Sequence, residues 1–425
     1  MRRLRWRTTA AAARQRVPGR YPMTYHRKRR MKHATQLALT ERFFTHIDQR
    51  TTDSADAQTL NEVRAYTCLD HFAQEQALLF RAQPLLAALS CQLPNPGDFL
   101  TEDRTGIPLL LTRAADGSVQ AFMNVCRHRG ARIEAGATGC ARKLFSCPYH
   151  GWSYKLDGTL IGVPDGESFG AVTRAARGLV PLPVAERHGL IFVRHTPRGA
   201  ACALDDVLGA DLCAELATYQ LAHWHHYETR TLDYAMNWKG VIDTFLEVYH
   251  FGKLHRSSIA SIFYDNLALF DAFGPHLRMS AARRSLDSTR GRAAATSDLL
   301  VHMAHVYLLF PNGILVRQGE QFETWRVYPG ATPDSCRMVV SMFTPTPATS
   351  DSARRHWDNN MNLLMNVVLG EDFPVGAGIQ ANFHSGAQDT VIYGRNEPAM
   401  AHFHRSLRAV MGLPALATTA STESR

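Results

Sequence analysis

Residues 126–160 read CRHRGARIEAGATGCARKLFSCPYHGWSYKLDGTL, and this stretch decides the fold. Cys126 and His128 stand one residue apart, Cys147 and His150 two residues apart, and eighteen residues rich in Gly, Arg and Ala separate the pairs. Thiolates and imidazoles at such spacings hold zinc or an iron–sulfur cluster. Zinc loops usually pair like ligands, whereas each pair here joins one Cys to one His. A two-iron cluster with two thiolates on one iron and two imidazoles on the other needs that mixture, each loop giving one ligand to each iron. Gly130, Gly136, Pro148 and Gly151 permit the tight turns that aim backbone N–H groups at the sulfides. Two neutral imidazoles in place of thiolates make such a cluster less negative and raise its potential.

Around this stretch, residues 70–195 break into short apolar pieces between Gly, Pro and Asp turns. IPLLLTR (107–113), AFMNVC (121–126), KLFSC (143–147) and GLIFVRH (189–195) are strand-length and predict a small antiparallel β domain. Residues 37–66 read as one or two helices. Residues 237–256 read as a single helix with Trp238, Val241, Phe245 and Val248 near one buried face. YLLFPNGILVRQ (307–318), QFETWRVYPG (321–330) and CRMVVSMFTP (336–345) read as consecutive strands, and 353–369 and 396–412 as helices. The expectation is an α+β fold: a basic, disordered extension over 1–36, helices and the β domain over 37–200, and a second domain of antiparallel sheet framed by helices over 201–425. No GxGxxG, βαβ rhythm or internal repeat occurs.

Composition excludes several classes. The chain has 425 residues and a net charge of +9, but residues 1–33 hold ten Arg, two Lys and no acid. Removing those twelve from 47 basic residues leaves 35 against 38 acidic ones, so the body carries about −3. The basic character belongs to the tail, which argues against a nucleic-acid binder. The tail has no apolar core like that of a secretory signal; it reads as an extension, with translation starting at Met23 or Met31 an alternative. No apolar run approaches the roughly twenty residues a membrane span needs. Eight cysteines without a regular framework indicate a reducing, cytoplasmic setting, with Cys140 a small structural residue.

The 237–256 segment carries Asp243, Glu247, His250 and His255. The first three share one helix face, but His255 lies about 140° from His250 on an ideal helix. Both can face one metal only across a break, and Gly252 stands between them to supply one. Two imidazoles and one carboxylate would form a facial triad with open positions, suited to O₂ activation at Fe(II).

The CxH…CxxH pair, with NVCRHRG and CPYHGW around it, resembles the Rieske [2Fe–2S] motif. NWK…D…ExxYHx₄H, about 100 residues later, resembles the catalytic helix of the Rieske non-haem iron oxygenases. The resemblance spans roughly residues 65–412. It implies a helix-grip catalytic domain, Cys126 and Cys147 on one iron and His128 and His150 on the other. It also implies mononuclear Fe(II) on His250, His255 and a downstream carboxylate in GEDFPVGAGIQ (370–380), assigned to Asp372 with Glu371 as the alternative. Respiratory Rieske proteins carry two further cysteines where this chain has Ala131 and Tyr149. The resemblance further implies a homotrimer, in which Glu247 bridges His150 of a neighbouring subunit and His250, supported by Asp243. Electrons would come from a separate NAD(P)H-dependent reductase of flavin or ferredoxin type, since no nicotinamide or flavin motif occurs here. Glu rather than Asp at the bridge resembles the branch that oxidises quaternary ammonium compounds; the alternatives are an aromatic-ring or aromatic-acid oxygenase and, more remotely, a Rieske electron carrier. Phe322, Trp325 and Tyr328 are candidates for a cation-binding cage, and Tyr234 and Trp238 are further aromatic candidates.

Overall fold

The computed structural model describes residues 31–296 and 298–419. Its centre is a seven-stranded antiparallel sheet: β1 (His225–Tyr234), β2 (Phe263–Phe273), β3 (His276–Arg283), β4 (Met303–Leu309), β5 (Gly313–Gln318), β6 (Gln321–Pro329) and β7 (Cys336–Thr344), in the spatial order β1-β7-β6-β5-β4-β3-β2. The hairpins β4–β5 and β6–β7 follow from the alternating apolar runs and their turns. Strands β1, β2 and β3 carry mixed polar sequences and were not expected; they complete the sheet.

Two faces bury different cores. Trp325, Val327, Ile314, Val316, Met279 and Met342 belong to one, shared with helices α2 (Trp238–Phe245), α3 (Asp351–Val367), α4 (Phe373–Phe383) and α5 (Pro398–Val410). Phe322, Leu315 and Tyr307 belong to the other, packed under Tyr219, Trp224 and helix α1 (His33–Gln49). Adjacent residues of one strand thus serve opposite cores, as the two-residue period of a strand requires.

Residues 84–194 form three small antiparallel sheets. One joins Phe99–Glu102, Leu109–Arg113, Val119–Met123 and Thr138–Gly139; another joins Phe145–Ser146, Ser153–Tyr154 and Leu160–Gly162. A buried ion pair fastens this unit to the large sheet: Arg326 of β6 reaches Glu102 at 2.7 Å, both side chains under 5% exposed.

The expected boundaries shift at the N-terminal end. Met31 and Gln36 are buried, and the first helix begins at His33, so residues 31–36 belong to the folded body rather than to an extension. The helix ends at Gln49. Thr59–Glu62 is a strand, paired with Thr390–Tyr393 and Ala417–Thr418. Arg42 bonds Asp271 at 2.7 Å, and Asp53 accepts from the Phe270 N–H. These contacts attach residues 31–62 to the large sheet, not to the small β unit. Residues 1–30 lie outside the described residues.

Candidate active site

The helix expected over 237–256 is only α2. Asn237 caps it by accepting from the Lys239 N–H at 3.0 Å, and Trp238, Val241 and Ile242 bury its apolar face completely. It stops at Phe245 because Glu247 supplies a competing acceptor. Its carboxylate takes the backbone N–H of Tyr249 and that of His250, the latter at 3.1 Å, in place of carbonyls one turn back. The 140° problem therefore does not arise: His250 and His255 sit on consecutive turns after the helix. Gly252 is required there by close approach, since a Cβ would fall 2.3 Å from the Asp265 carboxylate that accepts its N–H.

Across from these turns, α3 runs into a π-helical turn, Val368–Asp372, and continues as α4. That wide turn aims two adjacent carboxylates at the histidines. Asp372 Oδ1 lies 3.1 Å from His255 Nε2 and 3.5 Å from His250 Nε2, and the two Nε2 atoms are 3.1 Å apart. Glu371 turns outward behind His255: its Oε2 accepts from Nδ1 at 2.7 Å and from the Ser258 hydroxyl at 2.8 Å. Of the two carboxylates considered, Asp372 faces the convergence point and Glu371 stands behind it. Glu247 accepts from Nδ1 of His250 in the same way.

Each imidazole thus directs one ring nitrogen to a carboxylate, which fixes the proton there and leaves Nε2 with a lone pair. Two Nε2 lone pairs and a carboxylate oxygen without any donor then face one another. No hydrogen bond satisfies three acceptors; a cation does. Separations of 3.1–3.5 Å match the edges of a coordination polyhedron with ligands about 2.1 Å from one ion. Burial alone would push the His255 imidazole down, but Asp372 and Glu371 together raise it. The residues fit a divalent metal, and three ligands from one side leave coordination positions open.

Asp243 does not touch Glu247. Its two oxygens are taken by the Tyr66 hydroxyl at 2.7 Å and His404 Nε2 at 2.8 Å, inside a buried network completed by Tyr393 and Asn61. This network joins the first and last parts of the chain, and sequence spacing offered no signal for it. Asp243 and Glu247 do line a common cavity of about 290 Å³ that reaches His250 and Asp372. Its rim carries the exposed side chains of Val375, Ile379 and Ile392.

In the small β unit the two expected loops lie side by side and share one geometry. The Cys126 carbonyl accepts from the Gly130 N–H and the Cys147 carbonyl from the Gly151 N–H, both at 3.0 Å, with both glycines at positive φ. Cys126 and Cys147 are buried, and burial pushes the Cys126 thiol up. His128 and His150 have ring centres 4.7 Å apart, and Trp152 stacks on His128. His128 Nδ1 is buried without a partner. Two thiols, two imidazoles and an orphaned ring nitrogen fit the expected cluster. Tyr149, beside His150, is exposed.

The expected aromatic cage does not form. Phe322 packs on Tyr219 and Trp224 in the opposite core and Tyr328 on Phe80, while Trp325 lies 5.0 Å from Phe245 and 6.4 Å from Phe373. Trp238 is a core residue whose indole N–H bonds the buried Glu75, and Tyr234 packs on Phe373. Among the described residues no helix is long and apolar enough to cross a membrane.

Residues 83–177 match the Rieske [2Fe–2S] domain, and residues 221–413 the ring hydroxylating alpha subunit catalytic domain. The carnitine monooxygenase oxygenase subunit of Escherichia coli K12 is 33% identical over 208 residues, 48% of this chain and 54% of that protein. The glycine betaine monooxygenase oxygenase subunit of Chromohalobacter salexigens is 35% identical over 198 residues, 46% of this chain and 43% of that protein. The matches span about half the length of these relatives. A quaternary ammonium Rieske monooxygenase solved with L-carnitine superposes with a TM-score of 0.70 at 19% identity, covering 84% of this chain and 96% of that one.

Proposed function

The chain belongs to the Rieske oxygenase α subunits, and on that premise we propose that it oxidatively demethylates or hydroxylates a small quaternary ammonium compound, using O₂ and electrons from a separate reductase. The observation that carries the reading is the meeting of His250 Nε2, His255 Nε2 and Asp372 Oδ1 within 3.5 Å of one another. In this reading those three residues hold Fe(II), and Cys126, Cys147, His128 and His150 hold a [2Fe–2S] cluster. Bound there, the cluster supplies single electrons and the Fe(II) supplies O₂ activation.

The protein's own groups then have definite tasks. Glu247 and Glu371 hold the protons on Nδ1 of His250 and His255 and so keep both rings turned towards the metal. Tyr66 and His404 fix Asp243 at the wall of the cavity beside Glu247. That cavity opens to the surface through apolar side chains, and His150 sits at the other end of the chain's chemistry beside the exposed Tyr149. In this reading the subunits form a homotrimer, as the family resemblance implies, with the cluster loop of one subunit seated against Glu247 of the next. The quaternary ammonium class rests on Glu247 and on the named activities of the relatives; a cytoplasmic setting rests on the free cysteines.

The test is a single turnover: chemically reduced, fully loaded protein is exposed to O₂ with a quaternary ammonium panel beside an aromatic-acid panel, and products are read by mass spectrometry. Hydroxylated or demethylated ammonium products are expected. Oxidation of the aromatic panel alone would overturn the substrate class and keep the oxygenase.

A further inference from the structure

A third set of metal-type ligands lies outside both iron sites. One ring nitrogen of His188, a carboxylate oxygen of Asp205 and Cys213 Sγ fall within 4.8 Å of one another. They come from separate places in the chain. His188 and Gly189 form the two-residue turn between the paired strands Val184–Arg187 and Leu190–Arg194, with φ of 53° and 84°. Asp205 stands on the short helix Leu204–Leu208 and Cys213 on the helix Ala210–Tyr219. Both helices belong to the linker that leaves the small β unit and leads into the large sheet.

The backbone holds this group in place. The Gly189 carbonyl accepts from the Ser90 N–H at 2.9 Å, and a Cβ at Gly189 would fall 2.3 Å from the Ala222 nitrogen. The Val207 carbonyl accepts from His276 Nε2 of β3 at 2.7 Å, which ties the linker to the large sheet. The side chains are short of partners. His188 Nε2 is buried with no hydrogen bond. Cys213 is 8% exposed, and its thiol donates only a long bond to Asp205 Oδ1, at 3.8 Å. Asp205 is exposed, and Arg187 Nε donates to the same Oδ1 at 2.9 Å. Ligand atoms of a zinc tetrahedron lie about 3.3–3.7 Å apart. The sulfur and oxygen are nearly there, and closing the rest takes about 1 Å, which an exposed Asp side chain can supply.

We propose that His188, Asp205 and Cys213 form a structural zinc site, which fastens the outer hairpin of the small β unit to the linker. The imidazole, the carboxylate and the thiolate supply three ligands, and water completes the tetrahedron. Binding converts the thiol to thiolate and releases its proton to solvent. A thiolate beside an imidazole suits zinc, whereas magnesium, calcium and manganese prefer all-oxygen sites. Thiolate and carboxylate together balance the charge of the ion. Arg187 then serves as the outer partner that orients the Asp205 carboxylate. The site is independent of the substrate reading above, because none of its residues lines the cavity at His250 and Asp372.

The experiment titrates Zn²⁺, in competition with a chelator, into protein that already carries its cluster and its Fe(II), with iron counted before and after. The unsubstituted chain is expected to take up one further zinc per chain without losing iron. Cys213→Ala and His188→Asn should each weaken that binding about a hundredfold or more, and Asp205→Asn about tenfold. Asn tolerates the positive φ of the turn, so His188→Asn decides the matter if Cys213→Ala does not fold. Added zinc should also raise the denaturation midpoint of the unsubstituted chain and leave that of His188→Asn unchanged, a difference the Arg187–Asp205 ion pair alone cannot produce. No zinc uptake, uptake only at the expense of iron, or equal affinity in the unsubstituted chain and both variants overturns the assignment.

Discussion

Glu371 offers the sharpest test of how the metal site is built. It accepts from His255 Nδ1 at 2.7 Å and from Ser258 at 2.8 Å, while its neighbour Asp372 faces the two Nε2 atoms. Glu371→Ala would leave the Nδ1–H of an imidazole only 1% exposed without its acceptor, where water has little access to replace it. Loss of such a supporting partner typically lowers metal affinity about 10- to 100-fold, or about 1.4–2.7 kcal/mol. Glu371→Gln keeps a carbonyl acceptor and should lose only about threefold, within a neutral hydrogen bond's worth. Asp372→Ala removes one of three ligand atoms and should exceed a hundredfold. The assay is an anaerobic competition titration with Fe(II), with the cluster spectrum as a control for folding. The expected order of weakening is Glu371→Gln, Glu371→Ala, Asp372→Ala. An affinity for Glu371→Ala equal to the unsubstituted protein's would remove its orienting role. One as weak as that of Asp372→Ala would make Glu371 a ligand and refute the geometry argued above.

Glu247→Gln should retain both metals and cut product yield per turnover at least about tenfold, since the Nδ1 of His250 loses its charged partner; metal analysis with product counting checks it, and near-normal yield would send the electron route elsewhere. Arg326→Ala leaves Glu102 buried without its 2.7 Å partner and should cost about 3–5 kcal/mol in denaturant unfolding; a loss below about 1 kcal/mol would mean the two units are not fastened there. Tyr66→Phe removes the hydroxyl shared by Asp243 and Tyr393 and should cost about 1–3 kcal/mol with iron content unchanged. Falling iron content would show that the network supports the ligands and not only the fold.

Legibility in the sequence followed the range of each signal. The cluster loops were readable because all four residues fall within 25 positions, and glycines at fixed offsets mark the turns. The hairpins β4–β5 and β6–β7 were readable because apolar alternation and turn residues are local. Strands β2 and β3 were not: Asp265, Asn266, Asp271, His276 and Arg278 interrupt their apolar pattern, and their strand form depends on neighbours far along the chain. The N-terminal boundary failed for a related reason. What fixes residues 31–36 is burial of Met31 and Gln36 against residues near 299, at a distance composition does not sense. The cage failed because three aromatics at positions 322, 325 and 328 cannot all share one face of a strand.

The ligand segments failed in a more instructive way. A helical reading of 237–256 is locally correct up to Phe245, and a helical reading of 353–369 up to Val367. Both regular patterns stop just before the residues that converge on the metal. In the first segment the agent is a side chain, Glu247, which diverts two backbone N–H groups and holds His250 as it does so. In the second it is a π-helical turn, whose extra residue swings Asp372 and Glu371 to successive distances from His255. Continued helices would satisfy more backbone bonds and would separate His250 from His255 by about 140°. The regularity given up is what brings three acceptor atoms within 3.5 Å of one another, an arrangement stable only with a cation among them. The point where periodicity stops predicting the backbone is therefore itself a pointer to the site.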